Sequence, residues 1–219
     1  MTEPGYSILF ADEFLLVCDK ASGLLSVPGI GPEKADCLVS RLQRDHPGAR
    51  IVHRLDRDTS GVIVLARDAA THRALSMAFE AREVHKTYEA LVAGHIAEDR
   101  GTIDLPLRKE ALGSARQIVH PTEGKPSVTD FEVLERSADS DGSPWTRVRL
   151  LPRTGRSHQL RVHMLAIGHP ILGDELYAGE RAHRARARLC LHARTLAFRH
   201  PATGAEVRFE APSPLPLHP

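Results

Sequence analysis

A charged segment that runs directly into an apolar one is the feature that most constrains the fold of this chain. Residues 53–61 read His-Arg-Leu-Asp-Arg-Asp-Thr-Ser-Gly, and residues 62–66 read Val-Ile-Val-Leu-Ala. The apolar run is rich in β-branched residues and long enough for a buried strand. Asp56 therefore lies between two arginines in a turn at the end of a core strand. Such a strand supports its end rigidly, which is what catalytic geometry requires, so Asp56 is the first candidate functional residue.

Length and composition limit the class of protein. With 219 residues, 42% of them hydrophobic, the chain can bury a full core in one large domain or in two lobes on a shared sheet. We expect neither export nor membrane anchoring, because no basic and then apolar leader begins the chain and no run approaches about 18 apolar residues. Cys18, Cys37 and Cys190 lack Cys-x-x-Cys spacing, which predicts no disulfide framework and favours a reducing cytoplasm.

Charge is distributed unevenly along the chain. The formal net charge is only +1, but residues 145–200 contain 11 Arg against 3 Asp or Glu, whereas the first 50 residues contain 5 Lys or Arg against 7 Asp or Glu. Arginine presents a planar fork of donors that matches phosphates and base edges, so the pattern favours a nucleic-acid partner. A solvated arginine-rich surface is the alternative that charge alone leaves open.

Hydrophobic periodicity predicts a mixture of strands and short helices. Strands are predicted for residues 6–18, 86–93, 128–134 and 145–151, and residues 108–127 predict a basic hairpin or insertion near a binding surface.

Three helices are predicted in addition. Asp36 and Asp68 are placed to cap the first two. In the third, Leu160, Met164 and Ile167 share one face, and we expect its arginine-bearing polar face to turn elsewhere.

Several kinds of active site find no support in the sequence. His158 and His163 are five residues apart, about 140° around a helix axis, which does not suit a shared metal ion. The segment 155–158 lacks the Gly-x-Ser-x-Gly turn of many serine hydrolases, and no Gly-rich nucleotide motif is present. Two interpretations of Asp56 stay open at this point: a turn residue paired with Arg54 or Arg57, or an ionised catalytic carboxylate.

Three longer motifs bear on that choice. They are His-Arg-Leu-Asp-Arg-Asp-Thr-Ser-Gly at 53–61, Gly-Arg-Ser-His-Gln-Leu-Arg-Val-His at 155–163 and His-Pro-Ile-Leu-Gly-Asp at 169–174. In this order they resemble the RluA family of pseudouridine synthases, and the likeness extends from Lys20-Ala-Ser-Gly to His200-Pro-Ala-Thr-Gly. The family often has Lys-Pro where this chain has Lys20-Ala21, which touches no catalytic role.

The resemblance implies an architecture. We expect an α+β fold with a mixed, mostly antiparallel central sheet, flanking helices and a basic catalytic cleft. The whole chain, 1–219, would form one catalytic domain of two lobes. Larger relatives carry an N-terminal S4 RNA-binding domain, and we expect none here because the 52 residues before His53 resemble the catalytic fold itself.

The resemblance also assigns roles to particular residues. It implies that Asp56 is the catalytic residue, that Tyr88 stacks on the target uracil, and that Arg161 pairs with the catalytic carboxylate. Arg54 would enter the space left by the flipped nucleotide.

Further RNA contacts and the base pocket are expected from the same likeness and from the basic segments. Two candidate contact surfaces are the arginine run 181–188 and the insertion 108–125. An apolar residue at Leu189 or Leu191 would close the base pocket. The individual RNA-binding candidates are Arg57, Arg156, His158, Arg184, Arg186 and Arg188.

The implied reaction is isomerisation of uridine to pseudouridine in structured RNA, without cofactor or metal. A tRNA anticodon stem-loop and 23S rRNA are the expected substrates, and the protein is expected to act as a cytoplasmic monomer. Asp56 could attack C1′ of the ribose, attack C6 of the base, or remove a sugar proton. The alternatives are a catalytically silent RNA-binding or RNA-folding protein on the same scaffold and a uracil-removing hydrolase.

Overall fold

The apolar run after Ser60 is a strand, as the sequence predicts. In the computed structural model, which describes residues 5–215, β4 (Ser60–Ala66) is buried along its whole length. It pairs antiparallel with β2 (Leu15–Lys20), which in turn pairs antiparallel with β1 (Tyr6–Ala11). A buried strand with partners on the same sheet is a rigid base for the turn that precedes it.

Gly61 explains why glycine ends the charged motif. Its φ is +114°, a conformation that residues with a side chain rarely adopt. A Cβ atom at this position would also lie 2.2 Å from the carbonyl oxygen of Ala193. The close approach of two backbones therefore requires glycine here.

The chain divides into two compact units. The first comprises residues up to Lys86 together with Ala193–Ser213, and the second comprises Thr87–His192 together with the residues from Pro214. Besides β1, β2 and β4, the first unit contains a 3-10 turn, two helices and three further strands, of which β11 begins in the second unit. These elements are Pro32–Lys34, α1 (Leu38–Asp45), β3 (Arg50–Ile51), α2 (Ala69–Glu80), β11 (Leu191–Arg199) and β12 (Glu206–Glu210).

The predicted caps of α1 and α2 have different outcomes. The carboxylate of Asp68 accepts a hydrogen bond from the backbone N–H of Thr71 (2.8 Å), which confirms it as the N-cap of α2. The prediction for Asp36 is wrong. Cys37 is the N-cap of α1, and Asp36 instead accepts from the guanidinium of Arg41, which lies within its reach (Nε to Oδ1, 2.8 Å).

Four antiparallel strands form the sheet of the second unit. Their order is β5 (His85–Ala93, of which the first two residues belong to the first unit), β10 (Pro144–Pro152), β9 (Val128–Ala138) and β6 (Arg100–Asp104). Trp145, Val148 and Leu150 of β10 are buried in its core. The α+β fold with a mostly antiparallel sheet agrees with the expectation from the sequence.

The basic insertion is a hairpin, as predicted. Strands β7 (Leu107–Lys109) and β8 (Gln117–Val119) pair antiparallel in a two-stranded sheet of their own. We call residues 107–119 the β7–β8 hairpin.

The third predicted helix is present, but its polar face does not turn away from the core. Helix α3 (Gln159–Ala166) buries Gln159, Arg161 and His163 as well as its apolar residues. Burial is possible because each polar group is hydrogen-bonded; His163, for example, contacts Thr129 Oγ1 (2.9 Å) and the carbonyl of Leu105 (3.0 Å). A last short helix, α4, spans Glu180–Arg184. Within residues 5–215, no helix combines the length and the apolar character needed to cross a bilayer.

Candidate active site

Asp56 lies in the turn between β3 and β4. The backbone N–H of Thr59 donates to the carbonyl of Asp56 (3.2 Å), which closes the turn directly before the buried strand. Leu55 is buried, whereas Asp56 is half-buried. The carboxylate is thus carried by a short, closed turn rather than by a long loop.

A second loop, Lys20–Ser26, forms hydrogen bonds to the backbone of this turn. The Ser26 hydroxyl donates to the carbonyl of Leu55 (2.8 Å) and accepts from the N–H of the same residue (3.1 Å). Lys20 is fully buried, and its ammonium group donates to the carbonyls of Arg57 (3.0 Å) and Leu24 (2.7 Å). Residues on both sides of Asp56 are therefore fixed by hydrogen bonds, so its Cα position is well determined.

The two arginines that flank Asp56 differ in their partners. Arg57 forms a bidentate ion pair with Asp58, with Nε–Oδ1 at 2.9 Å and Nη2–Oδ2 at 3.0 Å. Arg54 is exposed and makes no hydrogen bond or ion pair with residues 5–215. Arg54 is therefore available to a partner molecule.

His53 anchors the start of the motif to β4. Its Nε2 accepts a hydrogen bond from the backbone N–H of Val64 (3.1 Å), and its ring stacks on Phe79 with centroids 4.5 Å apart. Burial, assisted by the charge of Lys86, lowers the pKa of His53 to about 3. The imidazole is consequently neutral at physiological pH and acts as an acceptor, not as an acid or a metal ligand.

Tyr88 lies on β5 in the second unit, opposite Leu150 of β10. It is half-buried and packs against the core of that unit. Leu189 and Leu191, the two candidates for the base pocket, are both buried in the same core. Because both are buried, burial does not distinguish which of the two leucines closes the base pocket.

Arg161 of α3 forms a buried ion pair with Asp174. Its Nε and Nη2 donate to the two carboxylate oxygens at 2.7 and 2.6 Å, and the two side chains are 5% and 1% exposed. Asp174 also accepts from the backbone N–H groups of Leu176 (2.9 Å) and Tyr177 (3.1 Å). A bidentate pair of this kind fixes the orientation of the guanidinium plane. The N–H groups of Nη1 take no part in the pair with Asp174.

His158 and Arg156 precede α3. His158 has a left-handed conformation (φ +53°), and its Nδ1 lies 2.7 Å from the hydroxyl of Tyr177. Arg156 is exposed; its Nε donates to the carbonyl of Pro126 (3.4 Å), and no carboxylate within residues 5–215 pairs with it. Arg156 therefore presents its charge to solvent at the start of the helix.

The arginine run 181–188 is more neutralised than its sequence indicates. Arg184 pairs with Glu180 on the surface (2.9 Å). Arg186 forms a bidentate pair with Asp139 (2.7 and 2.9 Å), its side chain is only 10% exposed, and this pairing raises the pKa of Arg186. The Nε of Arg188 donates to the carbonyl of Leu189 (3.1 Å).

Sequence reasoning missed three residues that shape the site. Ser26 holds the Asp56 turn, and Asp174 and Tyr177 surround Arg161. Asp174 ends the His-Pro-Ile-Leu-Gly-Asp motif, and Gly173 has φ +74° with a Cβ position 1.8 Å from the carbonyl oxygen of Arg188. A glycine directly before an acidic residue was the available signal. Among residues 5–215, no three His, Cys, Asp or Glu side chains come together as a metal site requires.

Among the predicted site residues, Asp56, Arg54 and Arg57 belong to the first unit. All the others belong to the second unit, where Tyr177 brings Arg161 and His158 together.

Comparison with known proteins places this arrangement in a family. A family model described as RNA pseudouridylate synthase matches residues 14–166. The chain is 50% identical to the dual-specificity RNA pseudouridine synthase RluA of Yersinia pestis, over 93% of this chain and 97% of that one. It is 49% identical to RluA of Escherichia coli K12, over 96% and 94% of the two chains.

A solved structure supports the same placement. Human RNA pseudouridylate synthase domain containing 1 superposes with a TM-score of 0.81 at 34% identity, covering 98% of this chain and 86% of that one. The chain therefore belongs to the RNA pseudouridylate synthase family and is a pseudouridine synthase, an isomerase that acts on RNA.

Proposed function

We propose that this synthase has two kinds of structured RNA as substrates, a tRNA anticodon stem-loop and 23S rRNA. The observation that carries this proposal is identity of about 50% across more than nine-tenths of both chains to relatives named dual-specificity RNA pseudouridine synthase RluA. We further propose that the chain works in the cytoplasm as a monomer and that residues 1–219 act as one catalytic domain.

The reaction breaks the bond between ribose C1′ and uracil N1, turns the base, and joins C1′ to C5. The hydrogen at C5 is lost, and N1 gains a proton, so neither a redox step nor a cofactor is required. The target nucleotide must first leave its stack, which costs a few kcal/mol that contacts to the RNA offset.

We propose that Asp56 is the catalytic residue. A carboxylate on a closed turn, held on both sides by the loop Lys20–Ser26, supports this role because a small displacement of a reacting group is costly to rate. Three routes suit a carboxylate: attack on C1′, attack on C6, or removal of a sugar proton that leads to a glycal.

Two further residues complete the proposed machinery. Tyr88 stacks on the target uracil, and Arg161 pairs with the catalytic carboxylate of Asp56. The bidentate pair with Asp174 supports this role because it holds the guanidinium in one orientation.

RNA contacts are proposed at basic positions of both units. Arg54 fills the gap left by the flipped nucleotide, and its exposure without a partner among residues 5–215 supports this. The base pocket is closed by Leu189 or Leu191. The other proposed contacts are Arg57, Arg156, His158, Arg184, Arg186 and Arg188, with the β7–β8 hairpin beside them.

Tritium release tests the function directly. The protein is incubated with an anticodon stem-loop and with a 23S rRNA fragment, each labelled with tritium at uridine C5, and the products are digested to nucleosides. We expect tritium release with pseudouridine in intact RNA from both substrates, and its loss in Asp56→Asn.

Each alternative has its own outcome in this assay. Binding of RNA without release would favour the silent RNA-binding protein, and free uracil would favour the hydrolase. Release from only one of the two RNAs would overturn the dual specificity while leaving the reaction class intact.

A further inference from the structure

We propose that Tyr177 is a positioning residue that links the β7–β8 hairpin to the guanidinium of Arg161. RNA that engages the hairpin would thereby also stabilise the orientation of Arg161. This inference rests on the proposed function, which gives Arg161 its role beside the catalytic carboxylate.

The ring of Tyr177 contacts two arginines. The guanidinium carbon of Arg161 lies 4.9 Å from the ring centroid, and that of Arg116, directly before β8 at the turn of the hairpin, lies 5.2 Å from it. Tyr177 is only 6% exposed, so both cation–π contacts are shielded from water on the ring side. Asp174 fixes the guanidinium of Arg161 in its own plane, and the ring of Tyr177 limits its movement out of that plane.

The hydroxyl of Tyr177 connects the same two elements. It accepts a hydrogen bond from the backbone N–H of Gln117 in β8 (2.8 Å), and it lies 2.7 Å from Nδ1 of His158, directly before α3. Burial raises the pKa of Tyr177, so the hydroxyl keeps its proton. One side chain thus bonds to the hairpin at one end and contacts the arginine of α3 with its ring.

A small apolar cluster adds to this connection. Leu107 of the hairpin, Val162 of α3 and Tyr177 are buried together, with Val119 and Leu176 packed against them. Because β7 and β8 form a sheet of their own, side chains of this kind fasten the hairpin to the rest of the second unit.

The hairpin is suited to contact RNA. It carries Arg108, Lys109 and Arg116, and the side chain of Leu112 is fully exposed among them. Within residues 5–215, the two arginines pair only with exposed glutamates, Arg108 with Glu123 (3.3 Å) and Arg116 with Glu110 (3.6 Å). Cations around an exposed apolar side chain can pair with phosphates while the apolar group packs on a base. RNA that binds the hairpin therefore also restricts the movement of Arg161, because Tyr177 contacts both.

The test compares Tyr177→Leu and Tyr177→Phe with the wild type. Single-turnover rates with saturating enzyme and anticodon stem-loop RNA are measured, and RNA dissociation constants are measured separately. Phe131→Leu is the matched control, because it removes another buried ring of the second unit, one that belongs to a different hydrophobic cluster from Tyr177.

We expect Tyr177→Leu to slow the single-turnover step by about 10- to 100-fold, since displacement of a catalytic partner by an ångström has effects of that size. The loss should persist at saturating enzyme, where RNA binding no longer limits the rate, because the guanidinium is no longer held in position. Tyr177→Phe keeps the ring and should show a smaller rate loss, together with weaker RNA binding through the released hairpin. Phe131→Leu should leave the single-turnover rate unchanged.

A wild-type single-turnover rate in Tyr177→Leu, or an equal rate loss in Phe131→Leu, would overturn the proposal. Tyr177→Phe preserves side-chain volume, so where Tyr177→Leu fails to fold, wild-type rate and wild-type RNA affinity in Tyr177→Phe would overturn it. Absence of pseudouridine formation by the wild type would instead overturn the proposed function, which keeps the two failures distinct.

Discussion

At the scale of single residues, His53 shows how burial decides the role of a side chain. Histidine is a common acid, base or metal ligand, and the sequence has 13 histidines. In the structure the Nε2 of His53 accepts a hydrogen bond from Val64, which only an unprotonated nitrogen can do. His53 is therefore a support for the motif it begins, and nothing in the sequence distinguished this role.

The depressed pKa of His53 predicts a specific loss of stability in acid. The folded protein holds this group at a pKa of about 3, whereas the unfolded chain binds the proton near 6.5. Its contribution is therefore fully present above about pH 6.5 and is lost as the pH falls from there toward 3. Between pH 7.5 and 4.5 we expect an extra loss of up to about 2–3 kcal/mol in the free energy of unfolding.

Urea unfolding at several pH values measures this contribution. His53→Gln lacks the titrating group, while His163, whose pKa is also lowered, is present in both proteins and cancels in the comparison. If the free energy of unfolding changed equally with pH in the wild type and in His53→Gln, the loss of stability in acid could not be assigned to His53.

At the scale of elements, the loop Lys20–Ser26 determines where the Asp56 turn lies. In the sequence, this loop stood out only as the beginning of the family likeness, at Lys20-Ala-Ser-Gly. Its function appears in the hydrogen bonds to Leu55, Arg57 and Asp58, including one from Ser22 Oγ to the carbonyl of Asp58 (2.7 Å). These bonds join residues 29 to 37 positions apart, so no local pattern predicts them.

Replacing Ser26 with Ala should affect rate more than its cost in stability suggests. The change leaves the buried N–H and carbonyl of Leu55 without a partner, which costs about 1–3 kcal/mol. We expect the single-turnover rate to fall by about tenfold, because the turn that carries Asp56 loses a fixed point.

Thr146→Val is the matched control for Ser26→Ala. The Thr146 hydroxyl likewise donates to a carbonyl, that of Gly94 (2.7 Å), and accepts from a backbone N–H, that of Ile96 (3.1 Å), but in the second unit. It should lower stability similarly while leaving the rate intact. Equal rate losses in the two variants would mean that Ser26 acts only through stability.

At the scale of the whole molecule, ion pairing changes the meaning of the charge distribution. At least nine of the eleven arginines between residues 145 and 200 pair with carboxylates of residues 5–215, many of which come from outside that window. These arginines are 147, 149, 153, 161, 181, 184, 186, 194 and 199. The excess of positive charge counted along the sequence is therefore largely neutralised by carboxylates in the folded protein.

The salt dependence of RNA binding should differ between arginines that pair with carboxylates and arginines that do not. Arg156 is exposed and pairs with no carboxylate of the described chain, so Arg156→Ala should reduce the slope of log K against log salt by about one. Arg186 must leave Asp139 before it can bind a phosphate, so Arg186→Ala should change the slope much less.

Both slopes are measured by titration of anticodon stem-loop RNA at several salt concentrations. Equal reductions in the two variants would show that RNA displaces Asp139 from Arg186. An unchanged slope in Arg156→Ala would remove Arg156 from the RNA interface.

The sequence by itself determined the strand β4, the cap at Asp68, the hairpin and the family, because each depends on local periodicity, local hydrogen bonding or long motifs in order. Tertiary structure alone decided that Arg161 pairs with Asp174, that Ser26 supports the turn of Asp56, and that most arginines are neutralised. Those contacts join residues far apart in the chain, and their formation depends on burial and distance. Neither quantity can be read from residue spacing.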